Sequence, residues 1–128
     1  MINNRQQINS NYQENVSYWN NAIVHWMIIV NIVLNLGVVA LLAFYVHPSD
    51  VLIKLQYNVF FGTSLHVEWW KTYALPLVGM AFFVIDLLIG NVLYYTKERI
   101  AAYIILLGAL FAHIALTIAS LSIILNNF

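Results

Sequence analysis

Three long apolar stretches dominate the pattern of this chain. The first covers residues 22–46 without a charged position. The second covers residues 72–96, is bracketed by Lys71 and Lys97, and holds one charge, Asp86. The third covers residues 100–125 with no formal charge and one histidine, His113. About 20 apolar residues in helical form span the roughly 30 Å of bilayer hydrocarbon. No water is available there to backbone N–H and C=O groups, so each stretch has to satisfy its own, which a helix does and a lone strand does not. The pattern therefore predicts an all-α membrane protein, a bundle of three transmembrane helices at about residues 22–46, 72–96 and 100–125.

The polar positions predict what joins the spans. Residues 1–21 are polar and rich in Asn. They lack the basic stretch and short apolar core of a cleavable leader, so the first apolar run is expected to stay in the membrane. Two forms fit this segment: a disordered polar tail, or an interfacial helix with Ile8, Tyr12 and Trp19 near one face. In the segment 47–71, His47-Pro48-Ser49-Asp50 is turn chemistry. Beyond it Ile53, Leu55, Tyr57 and Val59 alternate with Lys54, Gln56 and Asn58. Period two is a strand signal, and Phe60-Phe61-Gly62-Thr63 provides a turn into a hairpin. The alternative is an interfacial segment followed by a helix capped by Ser64, with Glu68 in its first turn. Pro76 is expected to kink the second span near its start. The link at residues 96–99 is short, which makes the second and third helices antiparallel neighbours.

Charge refines the picture. Hydrophobic residues make up 62% of the chain and charged residues 8%, too few to wet the surface of a soluble domain. Net charge is zero, so no basic field exists to hold a nucleic acid. No cysteine is present, which removes thiol catalysis and thiolate metal sites. Arg5, Lys97 and Arg99 lie on the side of the N-terminus, against Lys54 and Lys71 on the other. The positive-inside rule then predicts a cytoplasmic N-terminus and a C-terminus outside. Tyr18, Trp19, Tyr94, Tyr95 and Tyr103 on one side, and Tyr45, Trp69, Trp70 and Tyr73 on the other, form the expected aromatic belts.

The candidate chemistry lies within the spans. Asp86 is about 15 Å deep counted from Thr96, and His113 about 20 Å deep counted from Ile100, at 1.5 Å per residue. Asn31 and Asn35 share a face of the first helix at comparable depth. A carboxylate, an imidazole and two amides are thus expected to converge near the midplane. Intramembrane ionisable groups usually face protein or water. The cluster reads either as interhelical glue or as a proton- or ion-handling site, with Asp86 titrating beside His113. In the third span Gly108, Ala112, Ala115 and Ala119, with Ala101 and Ser122, form a small-residue seam for close helix approach. His113, Thr117 and Ser120 form a polar stripe on the adjoining face, and Gly79, Asp86 and Gly90 share a face of the second span. On the outer side His47, His66, Asp50 and Glu68 are weak metal candidates, since their spacing matches no ligand signature. His25 is too shallow to pair with His113 across a haem. No cofactor, nucleophile–base pair or phosphate loop is indicated. Asn15-Val16-Ser17 is a glycosylation sequon on the side expected to be cytoplasmic.

Leu55-Gln56-Tyr57-Asn58-Val59-Phe60-Phe61-Gly62, followed by Trp69-Trp70-Lys71 and Leu75-Pro76-Leu77-Val78-Gly79, resembles a group of small uncharacterised bacterial inner-membrane proteins. These have three or four spans and a YNxxFG segment ahead of an aromatic-rich first turn of a membrane helix. The resemblance covers roughly residues 45–125 and implies a bacterial inner-membrane setting, with no activity, cofactor or catalytic residue attached. The function expected is that of a non-enzymatic structural or accessory subunit of a larger membrane assembly. The chain is too small to enclose a substrate, it carries the small-residue seam, and Ile53, Leu55, Tyr57 and Val59 offer an edge for another chain to pair with. Its partners would be the lipid bilayer and other membrane subunits, or further copies of itself. The alternatives are a homo-oligomeric proton or ion pathway centred on Asp86 and His113, and an outer-face metal or haem binder.

Overall fold

The computed structural model describes residues 3–8, 16–58 and 62–128, with the backbone alone over 54–58 and 62–66. It contains three long helices, α1 (Ala22–Tyr45), α2 (Ala74–Tyr95) and α3 (Arg99–Asn127). All three are long and apolar enough to cross a membrane. This is the expected multi-pass helical bundle, with span limits within two residues of those read from the pattern. A hairpin of β1 (Ile53–Asn58) and β2 (Gly62–Val67) stands between α1 and α2. Short 3-10 turns at Tyr18–Asn20 and Trp69–Tyr73 lead into α1 and α2.

Local chemistry sets each boundary. Asn21 caps α1, its side-chain oxygen accepting from the N–H of Ile23 at 2.9 Å. α1 ends ahead of Pro48, which cannot continue a helix. In the turn before α2, the Thr72 hydroxyl donates to the Trp69 carbonyl at 2.7 Å. Pro76 is the third residue of α2, where a helix has spare N–H groups to lose. The backbone changes from 3-10 to α geometry just ahead of the ring. α2 closes in a Schellman turn: the N–H of Glu98 donates to the Leu93 carbonyl at 2.9 Å and that of Lys97 to Tyr94 at 3.3 Å. Lys97 occupies the left-handed position with φ 66°.

The hairpin pairs Ile53 with Val67 and Asn58 with Gly62, antiparallel, with irregular register on either side of Gln56. Ser64 therefore lies in β2 and caps no helix, and Glu68 precedes the 3-10 turn, which corrects the interfacial alternative. Residues 16–21 are likewise not a loose tail, for Tyr18 is fully buried against the bundle. Residues 4–8 form one exposed helical turn. The roles expected of Tyr12, Asn15, Val59, Phe60 and Phe61, and of the side chains of Leu55, Tyr57 and His66, lie outside the described residues.

α3 is the central stave. It packs along both α1 and α2, whereas those two touch each other sparingly. Two apolar clusters hold the ends. One gathers Tyr18, Val24, Phe83, Tyr94, Leu106 and Ala109. The other gathers Val38, Leu42, Val46, Ile53 and Ile123, and so anchors the root of the hairpin. Within each span only 22% of the apolar stretch is buried, so most of its surface is left to lipid or to other proteins.

Candidate functional site

Between the two apolar clusters the bundle is polar. Asn35 on α1 and His113 on α3 are both buried, at 5% and 1% exposure. The Asn35 amide nitrogen donates to the Pro76 carbonyl of α2 at 3.0 Å and lies 3.3 Å from His113 Nε2. His113 Nδ1 is 3.0 Å from the Ala109 carbonyl, which can only accept. A neutral ring with its hydrogen on Nδ1 therefore satisfies both contacts, leaving Nε2 to accept from Asn35. Phe83 meets the imidazole edge-on, ring centroids 5.7 Å apart. Gly79 lets the three helices close on this point: a Cβ there would sit 2.5 Å from Leu116 Cδ1, 3.4 Å from the Asn35 amide and 3.5 Å from His113 Nε2.

The four expected members of the cluster do not all converge. Asn31 is fully buried, but its amide donates back to Met27 of its own helix at 2.8 Å. Its side-chain oxygen finds no partner among the described residues. Asp86 is half-buried and makes no hydrogen bond among the described residues. It lines an open groove of about 430 Å³ between α2 and α3, together with Phe82, Phe83, Ala112, His113 and Ala115. Asp86 and His113 thus share a groove wall without bonding.

The small-residue seam also faces outward. Ala112 and Ala115 are exposed and Ala119 half-buried, and the three form the α3 wall of that groove. Gly108 has only open space where a Cβ would be. The face α3 turns inward runs one position away, through Ala102, Leu106, Ala109, His113, Ser120 and Ile123. In the polar stripe, the Thr117 hydroxyl donates to the His113 carbonyl and that of Ser120 to Leu116, both at 2.8 Å within the helix.

The described metal candidates between α1 and α2 form no ligand set. His47 is exposed, and the Glu68 carboxylate accepts from the Trp70 indole and lies 3.8 Å from Lys71 Nζ. No three metal-ligating side chains gather among the described residues. The pairing edge is altered as well. β1 already has β2 as a neighbour, and Ile53 is 4% exposed because it is rooted in the apolar cluster under the hairpin.

A second polar site, at the N-terminal end of α1, was not singled out from the sequence. The Asn21 amide donates to the hydroxyls of Tyr103 at 2.8 Å and Tyr94 at 3.2 Å. Tyr94 in turn donates to the Val16 carbonyl at 2.8 Å, and the Tyr18 hydroxyl donates to the Leu87 carbonyl at 3.2 Å. Burial pushes the Tyr18 phenol above the usual tyrosine range. Gly90 makes room for that ring, since a Cβ there would lie 2.8 Å from its oxygen. The Arg99 guanidinium stacks over Tyr94, 4.9 Å from the ring centroid. An Asn directly ahead of an apolar run was the available signal. The tyrosines read equally well as an interfacial belt.

No family model matches the chain, and no curated protein and no solved structure shows significant similarity to it.

Proposed function

We propose that this chain is a non-enzymatic subunit of a larger membrane assembly and that it docks a partner's transmembrane helix in the α2–α3 groove around Asp86. The observation that carries this reading is Asp86 itself. A carboxylate at this depth costs roughly 2.5–3.5 kcal/mol on insertion scales, and nothing within the described chain offers it a hydrogen bond. The wall beside it is built of Ala112, Ala115 and Ala119, which permit close backbone approach. A helix bringing a donor to Asp86 would offset the cost and fill the groove.

The test is the native mass and subunit content of the tagged protein, extracted in mild detergent from its own membrane. Foreign subunits in fixed ratio are expected with the wild type and should be lost with Asp86→Leu. Migration of the wild type alone overturns the reading. The charge distribution and the sequence resemblance support a bacterial inner-membrane setting with the N-terminus in the cytoplasm. Single cysteines introduced at either end of this cysteine-free chain would report the orientation by labelling from one side.

A second reading is a homo-oligomeric proton or ion pathway, favoured by Asp86 and His113 lining one groove. Both nitrogens of His113 are already engaged by Asn35 and Ala109, which weighs against a relay. Proton flux in liposomes that survives Asp86→Asn would exclude it. No observation favours the outer-face metal or haem reading.

A further inference from the structure

The groove beside Asp86 dictates what its occupant has to bring. Resting on the docking reading above, we infer that the incoming helix belongs to a different protein and carries one lysine or arginine near the middle of its apolar span, paired with the Asp86 carboxylate.

Asp86 stands about 18 Å along α2 from Ala74 and about 14 Å from Tyr95, at 1.5 Å per residue. It is half-buried, and Val78 and Phe82, which line the groove with it at four-residue spacing, are exposed and apolar. The opposite wall is Ala112, Ala115 and Ala119, which cover about two turns of α3. His113 lines the groove too, but its ring nitrogens are taken up by Asn35 and the Ala109 carbonyl. An approaching helix therefore meets one carboxylate on a largely apolar surface. Away from water a hydrogen-bonded cation answers a carboxylate more strongly than a neutral amide does, because the same contact also cancels the charge. The alanines let the incoming backbone come close, and the apolar stem of a lysine or arginine packs along the groove while its head reaches Asp86.

A second copy of the chain lacks that cation. The basic residues are Arg5, Lys54, Lys71, Lys97 and Arg99. Arg5 lies ahead of α1, Lys54 in β1, Lys71 ahead of α2, Lys97 just after it, and Arg99 is the first residue of α3. None lies inside a span, so a copy set at the same depth would face Asp86 with another carboxylate or with apolar side chains.

The experiment uses the full chain in liposomes of neutral phosphatidylcholine, labelled on a single cysteine introduced at its C-terminal end. The probes are labelled Leu/Ala transmembrane peptides with Lys, Gln or Leu at the central position, and energy transfer reads their association. The Lys peptide is expected to associate at least about tenfold more tightly than the other two. Asp86→Glu should keep that preference, and Asp86→Asn, close in shape but uncharged, should erase it. Equal association of the Lys and Gln peptides, or a preference that survives Asp86→Asn, would overturn the inference. Transfer between two labelled copies that is lost in Asp86→Leu would put a second copy in the groove and overturn a foreign helix. In the native membrane, one co-extracted subunit should carry a lysine or arginine within a span and be lost with Asp86→Asn as with Asp86→Leu. Subunits kept by Asp86→Asn but lost with Asp86→Leu would leave the docking reading standing and overturn the cation. A wild type migrating alone would overturn the docking reading itself, and the foreign partner with it.

Discussion

Lys97 carries the one left-handed backbone among the described non-glycine residues, φ 66°, at the tip of the turn that returns α3 beside α2. A side chain in that region costs about 1–2 kcal/mol, and glycine removes the cost while adding freedom to the unfolded chain. Lys97→Gly should therefore stabilise the protein by about 0.5–1 kcal/mol, read from reversible unfolding in mixed micelles. The short link was legible from the length of the spans. Its Schellman form was not, because the residue that usually signals it, glycine, is absent. Depth counting met a similar limit. It placed Asp86 and His113 within a turn of each other, but depth says nothing about how each helix is rotated. Gly79, not Asp86, faces the His113 nitrogen, and Asp86 is left at the rim of the groove.

Among the elements, α1 shows what a shared face does and does not imply. Asn31 and Asn35 lie one turn apart, yet only Asn35 crosses to other helices. Asn35→Leu is expected to destabilise the bundle by about 1–2 kcal/mol, since it strips bonds from both Pro76 and His113. Asn31→Leu should be near neutral or slightly stabilising, because it removes a buried oxygen that has no partner among the described residues. Paired unfolding curves of the two variants separate these outcomes. The spans were legible because a membrane leaves few solutions for a long apolar run. The hairpin was legible from period two at Ile53, Leu55, Tyr57 and Val59. What the sequence left open was which small residues on α3 serve the chain's own core. Both Gly108–Ala112–Ala115–Ala119 and Ala102–Ala109 suit close packing, and only the latter pair turned inward. Composition does not distinguish two such stripes when lipid is as apolar as the core.

For the molecule as a whole, stability should fall in alkali through Tyr18, which joins the pre-span segment to α2. Its phenol is held protonated by burial, so the folded state keeps a proton that the unfolded chain releases. The contribution is fully present below about pH 10 and is lost as pH rises through the raised value. Unfolding curves of Tyr18→Phe should show a shallower alkaline decline than the wild type. Wild-type and variant declines of equal slope would remove Tyr18 as the cause. The arrangement of the helices also constrains how the protein is made. Because α1 rests on α3 and barely on α2, it has no resting place in this bundle until α3 has been made. During synthesis its polar face, with Asn31 and Asn35, has to be sheltered by the insertion machinery or a chaperone. A chain cut short after α2 would present that face permanently, a ready mark for membrane quality-control proteases to recognise.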